Sequence, residues 1–334
     1  MNHDINYGVN FKRREMSKMV YFDDVFSDFN MNNYYFIDKT KMISKLINNM
    51  KKVYLITRPR RFGKSLNIRM IKEFFEKPNN ENNDGLETFD GLEISKDRKN
   101  MREFHKYPVI TLNFKKDNLE DYESNIEFLK TEISNLYKYH RKNIDFNKLD
   151  DDEQQNWSQI EKKIENVQLL EQSIKFLMKC LNKFYKRKCI VLIDEYDNIL
   201  TNCFNENYYE KLNQFFKSMF SSIFKSNEYL HFGVATGCVS LSFKSLFSGP
   251  NNFNDCSMYY DPNFSDCYGF MEKELDKLLL YFNFSNINKE SIKERYDGYS
   301  CGANNSKVIV KNLYNPYSIM KFLYDNTDNK KNIN

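Results

Sequence analysis

Four short apolar runs, each closed by a polar residue, constrain the fold of this chain more than any other feature. They are VYLIT (53–57), VITLNF (109–114), CIVLIDE (189–195) and HFGVATG (231–237). Continuous β-branched and aromatic runs of this length suit strands covered on both faces, as in a parallel sheet. Amphipathic stretches separate them. SLNIRMIKEFFE follows the first run, with Leu66, Ile68, Met70, Ile71, Phe74 and Phe75 as apolar positions. Ahead of the third, Ile160, Ile164, Val167, Ile174, Leu177 and Leu181 recur at helical spacing, and YYEKLNQFFKSMFSSIF precedes the fourth. Strands alternating with helices predict an α/β, doubly wound, three-layer fold with a mainly parallel sheet.

Two stretches read as surface. EKPNNENNDGLETFDG is rich in Asn, Asp and Gly and predicts a loop, and DFNKLDDDEQQNW predicts a solvated helix start or a flexible link. The last third changes character. MEKELDKLLLYF (271–282) has the pattern of an amphipathic helix, and YDGYSCGANNSKVIVKNLYNPYSIMKFLY predicts a loop, a short strand or hairpin, and a helix starting near Pro316. The expected organisation is a flexible N-terminal arm (1–20), a main domain (21–262) and a small, mostly helical, lid-like region (263–334).

Composition excludes several function classes. The 334 residues carry 50 basic and 46 acidic side chains, a net charge of +4, too even for nucleic-acid binding by bulk charge. The seven cysteines (180, 189, 203, 238, 256, 267, 301) form no C-x-x-C pair and suit a reducing compartment rather than a disulfide framework. His3, His105, His140 and His231 show no zinc-ligand spacing. The N-terminal MNHDINYGVNFKRREMSK lacks the apolar run of a signal peptide, and nothing approaches the roughly 18 apolar residues of a membrane span. An intracellular protein, cytoplasmic or nuclear and with no membrane partner, is expected.

The chemistry concentrates at the ends of the runs. In LITRPRRFGKSLNIRM (55–70), Gly63-Lys64-Ser65 follows the first run and opens a helix, the placement a phosphate-binding loop needs. Lys64 would reach the β- and γ-phosphates and the Ser65 hydroxyl would ligate Mg²⁺. The G-x-x-x-x-G-K-[ST] pattern puts a glycine where Arg58 stands. Pro59 can supply a fixed turn instead, and Arg58, Arg60 and Arg61 are expected to add positive charge around the mouth. On these residues alone, a helix start that happens to read GKS remains open. The third run ends in Asp194-Glu195, suited to a Walker B aspartate on the Mg²⁺ shell followed by a glutamate that polarises water. Thr236, closing the fourth run, suits either a polar contact to phosphate or water or an ordinary turn. Tyr196-Asp197 extends the acidic turn, with Asp197 as a cap for the next helix. Beyond Arg187 the only arginine is Arg295, so an arginine finger from this half is not expected. Lys225 and Lys244 could stand in for its charge but not for its bidentate fork.

These segments, with YYFIDKTKMISKLI, YPVITLNFK, SLFSGPNNFND, YGFMEKEL, YDGY and YNPYSI, resemble the AAA-ATPase-like family of P-loop proteins, from about residue 20 to 325. Arg-Pro-Arg-Arg-Phe before Gly-Lys-Ser is that family's form of the loop. The resemblance implies ATP and Mg²⁺ as ligands. It implies a nucleotide-binding segment of Arg58, Pro59, Arg60, Arg61, Phe62, Gly63, Lys64, Ser65 and Leu66, a metal pair of Ser65 and Asp194, and catalytic roles for Glu195, Lys64 and Thr236. The family commonly carries an arginine shortly after the Thr-Gly of the fourth strand. Ser240 stands there in this chain, which implies slow basal turnover. Bacterial members often add a C-terminal PD-(D/E)XK nuclease-like domain, and no such core is expected within this sequence. Three functions are therefore expectations: a slow Mg-ATP hydrolase, an ATP-gated module that contacts an unidentified protein, and an ATP-switched accessory of nucleic-acid processing.

Overall fold

The four runs form strands within a residue of the expected limits: β1 (Val53–Thr57), β2 (Val109–Asn113), β3 (Cys189–Asp194) and β4 (Leu230–Gly237). A fifth, β5 (Phe253–Asp255), was not legible in the sequence, because three residues are too few to show a period. The computed structural model describes residues 26–27, 34–49, 51–78, 85–116, 120–239, 253–258, 263–284, 289–301 and 310–331. Ser240 and Lys244 lie outside these residues, as does most of SLFSGPNNFND.

The strands pair in the order β2-β3-β4-β1-β5, all parallel. The registers set Ile193 beside Ala235 and Ala235 beside Leu55, so β4 separates the two strands whose ends carry the motifs. Alternate residues of each strand face opposite sides of the sheet. Val53, Leu55, Ile110, Leu112, Val191, Ile193 and Ala235 enter one core, and Tyr54, Ile56, Val109, Ile190, Leu192 and Val234 enter another. Over the first core lie α3 (Tyr122–Arg141), α4 (Asp151–Glu161), α5 (Val167–Tyr185) and α7 (Tyr209–Phe224), following α6 (Asn198–Asn202) in the chain, with Leu129, Trp157, Leu177 and Phe216 all buried. Over the second lie α1 (Lys41–Asn48) and α2 (Lys64–Phe75), through Met42, Ile43, Ile71 and Phe74. Apolar helices on both faces of a parallel sheet give the expected three-layer α/β architecture.

One local expectation is corrected and another is resolved. The apolar spacing across 160–181 does not form one helix. The chain breaks between Glu161 and Val167, where Lys163 takes a left-handed φ of 65° and Asn166 caps the next helix by accepting from the Gln168 and Leu169 amides. The acidic DFNKLDDDEQQNW takes the first of its two expected forms, a helix start, rather than a flexible link. Asp150 and Glu153 form a reciprocal capping box at the start of α4, and Trp157 is fully buried.

Towards the C-terminus come α8 (Glu272–Tyr281), α9 (Lys289–Tyr296), the antiparallel hairpin β6 (Asp297–Cys301) with β7 (Val310–Tyr314), and α10 (Pro316–Lys331). Leu275, Leu278, Leu279, Ile319 and Leu323 build a third core, against which Tyr35 and Ile37 pack. Lys39 ties the segment before α1 to this region, with its ammonium 2.7 Å from Glu274 and 2.9 Å from the Asp266 carbonyl. Phe264, Cys267 and Tyr268, just past the boundary expected near 262, still belong to the second core of the sheet. Among the described residues no helix is long and apolar enough to cross a membrane. None of the seven cysteines, all of them among the described residues, is in a disulfide.

Candidate functional site

The carboxyl ends of β1, β3 and β4 deliver the motif residues to one place, as open α/β sheets do at the strand ends where they bind ligands. Between β1 and α2 the chain turns through 58–63. Gly63 has a φ of 82°, where a side chain is disfavoured, and it accepts the first helical hydrogen bond from the Asn67 amide at 3.0 Å. As the N-terminal flanking residue it offers no side-chain cap, so the opening amides of α2 keep their donors for a ligand.

Lys64, the first helical residue, is buried, and its ammonium turns back into the loop. It donates to the Arg58 and Pro59 carbonyls, both at 3.2 Å, and lies 3.3 Å from the Cys238 thiol and 3.9 Å from Glu195. Ser65 donates its hydroxyl to Asp194 Oδ2 at 2.6 Å, and Thr236 donates to Asp194 Oδ1 at 2.6 Å. The Glu195 amide adds a third donor to Oδ1 at 3.1 Å. Asp194 is therefore a buried carboxylate whose hydrogen bonds come from neutral donors, with no ion pair to any described residue. Burying a charge is costly unless it is paired or coordinates a cation. A hydroxyl and such a carboxylate aimed at each other form an oxygen donor pair that fits a hard divalent cation.

Glu195 takes a left-handed φ of 52° just past the strand end. Burial raises its carboxyl pKa, the Lys64 ammonium opposes the rise, the Asp194 and Asp197 carboxylates add to it, and Lys115 opposes it more weakly. A carboxylate poised in this way is a better proton acceptor than one in water.

The loop residues divide by role. Arg58 does not add its charge to the mouth as expected. It is 1% exposed, and its guanidinium donates inward to the Thr57, Cys256 and Phe264 carbonyls at 2.9, 2.6 and 3.2 Å. The charge serves as a strut between β1 and the chain after β5, and the Arg58 amide bonds the Gly237 carbonyl of β4. Arg60 and Arg61 are exposed, Pro59 half-buried, and Phe62 buried; Leu66, half-buried, packs on the second core.

Asp197 also departs from expectation. It does not cap α6. Its Oδ2 instead accepts the amides of Cys238 and Val239, at 2.8 and 2.6 Å, and so fixes the chain leaving β4 beside Lys64. Gly237 is needed for this approach, because a Cβ there would lie 2.4 Å from Asp197 Oδ1 and 2.5 Å from the Tyr196 ring. The sequence alone places neither Asp197 nor Cys238 at the site, since a contact 41 residues away in sequence leaves no local pattern.

The family model described as "Predicted AAA-ATPase" matches residues 23–247, more than half of the chain. The chain belongs to the AAA-ATPase-like family. Membership carries nucleotide binding as the family's general property, and the matched region spans every residue of the constellation around Asp194. The chain is also 26% identical, over 289 residues, to an "Uncharacterized protein in vnfD 5'region" of Azotobacter chroococcum mcd 1. That similarity covers 86% of this chain and 48% of the relative, so this AAA-ATPase-like chain spans about half the length of the protein it matches.

Proposed function

We propose that the chain binds Mg-ATP at the 58–66 loop and hydrolyses it slowly. The observation that carries this reading is the 2.6 Å bond between the Ser65 hydroxyl and the buried Asp194 carboxylate, which joins the loop helix to the third strand. Ser65 and Asp194 would hold the metal, which when bound would offset charge on the phosphate oxygens. Lys64, already directed into the loop, would exchange its Arg58 and Pro59 carbonyls for phosphate oxygens. The amides that open α2 would meet the same anion. Glu195 would orient and deprotonate the attacking water. Thr236, fully buried, keeps the Asp194 carboxylate turned toward Ser65. The division into a 21–262 main domain and a 263–334 lid-like region belongs to this proposal.

The test is a Mg-ATP titration of wild type and Lys64→Ala, with circular dichroism to check the fold. Loss of a desolvated charge-assisted contact costs about 2–5 kcal/mol, so affinity should fall at least tenfold. Equal affinity in the two proteins would remove the phosphate-loop assignment.

A further inference from the structure

Three consecutive loop residues are each gripped by a different residue of the C-terminal region. The Asn315 side-chain amide donates to the Arg60 carbonyl at 3.1 Å. The Arg61 guanidinium lies over the Tyr317 ring, 4.0 Å from its centroid. Phe62 meets Tyr299 edge-on, with ring centroids 4.9 Å apart. These contacts account for YDGY and YNPYSI, two segments for which the chemistry at Asp194 has no use. We propose that Asn315, Tyr317 and Tyr299 are positioning residues for the phosphate loop, so that nucleotide binding and docking of the C-terminal region are linked.

The loop needs such support. Arg61 holds a left-handed φ of 67°, which a residue with a side chain adopts at a cost, and Arg58 replaces the first glycine of the usual pattern. External contacts then do what glycines would do from within. The support is itself anchored. Asn315 Oδ1 accepts the Ser318 amide at the start of α10 while its Nδ2 holds Arg60, so one side chain caps the helix and clasps the loop. Phe270 and Tyr314 exchange backbone hydrogen bonds of 3.0 and 2.9 Å, which extends the β6–β7 hairpin back toward the sheet. Next to Phe270, Gly269 has a φ of 72° and sits so close to Phe62 that a Cβ would come within 2.9 Å of the ring. A loop that shifts around phosphate must therefore carry Tyr317 and Asn315 with it or lose them. By linkage, whatever displaces α10 weakens the nucleotide to the same degree that the nucleotide resists the displacement.

The inference rests on the proposed Mg-ATP site, and two readouts separate their failures. In the nucleotide-free protein, amide hydrogen exchange across 58–67 should speed up in Asn315→Ala and Tyr317→Ala and stay at the wild-type rate in Tyr317→Phe, which keeps the ring. In Mg-ATP titrations the two alanine variants should lose about 2- to 10-fold in affinity, the range of a single hydrogen bond or exposed cation–π contact. Tyr317→Phe should bind like wild type. In an Arg61→Ala background the Tyr317→Ala effect should disappear; a full effect persisting there would overturn the positioning role. Unchanged exchange at 58–67 in both alanine variants would overturn it as well. If wild type binds no Mg-ATP, the functional reading falls, and the exchange measurement still decides the clamp.

Discussion

At Asp194 and Glu195, neighbours along the chain, the fold produces two different carboxylates. Asp194 ends β3 inside the sheet and is held by three neutral donors. Glu195 is lifted out by its left-handed backbone and faces Lys64. Their substitutions should separate accordingly. Asp194→Asn should weaken Mg²⁺-dependent ATP binding, because the metal loses a carboxylate, with little change in metal-free binding. Glu195→Gln should bind Mg-ATP as wild type does and lose turnover by about 10²- to 10⁴-fold, the usual contribution of a general base. Paired titration and phosphate-release assays check both. Equal turnover in wild type and Glu195→Gln would exclude Glu195 as the base, and no turnover in wild type would favour the ATP-gated module.

Among the elements, the α4–α5 junction shows how a cap overrides an apolar repeat. Ile160, Ile164 and Val167 keep helical spacing, yet Asn166 satisfies two amides of a new helix and the chain turns at Lys163. Local side-chain bonding of this kind competes with helix continuation. Asn166→Ala should cost about 1 kcal/mol, typical for a lost helix cap, read as a lower urea midpoint with unchanged slope. The same substitution should leave Mg-ATP affinity alone, since α5 belongs to the first core whereas Phe62 and Leu66 of the loop pack on the second.

For the molecule as a whole, His140 on α3 couples folding to pH. It is 3% exposed, its Nε2 has no hydrogen-bond partner, and burial pushes its pKa down to about 3, with the Lys72 cation adding to the effect. Below the ordinary histidine value of 6.5 the unfolded chain takes up a proton that the folded chain refuses until about pH 3. The stability tied to this group is thus complete above pH 6.5 and declines as pH falls toward 3, by about 1.4 kcal/mol per unit. Urea unfolding at pH 7 and pH 5 should show the decline in wild type, and His140→Phe should flatten it. Identical pH dependence in the two proteins would assign the decline to other groups.

The sequence by itself determined the sheet and the motif positions. The apolar runs of β1 to β4 must be buried on both faces wherever they go, and a glycine that opens a helix after the first is a local feature. Tertiary structure decided what those positions touch. It turned Arg58 from the mouth of the loop into the protein, because three carbonyls from the β1 end and the 256–264 segment converge on its guanidinium. It brought Asp197 to the amides after β4, added β5 at the edge of the sheet, and set Asn315 and Tyr317 on a loop some 255 residues earlier. Burial is written residue by residue in the apolar pattern, whereas a hydrogen bond between distant segments depends on where the packed layers bring two backbones together.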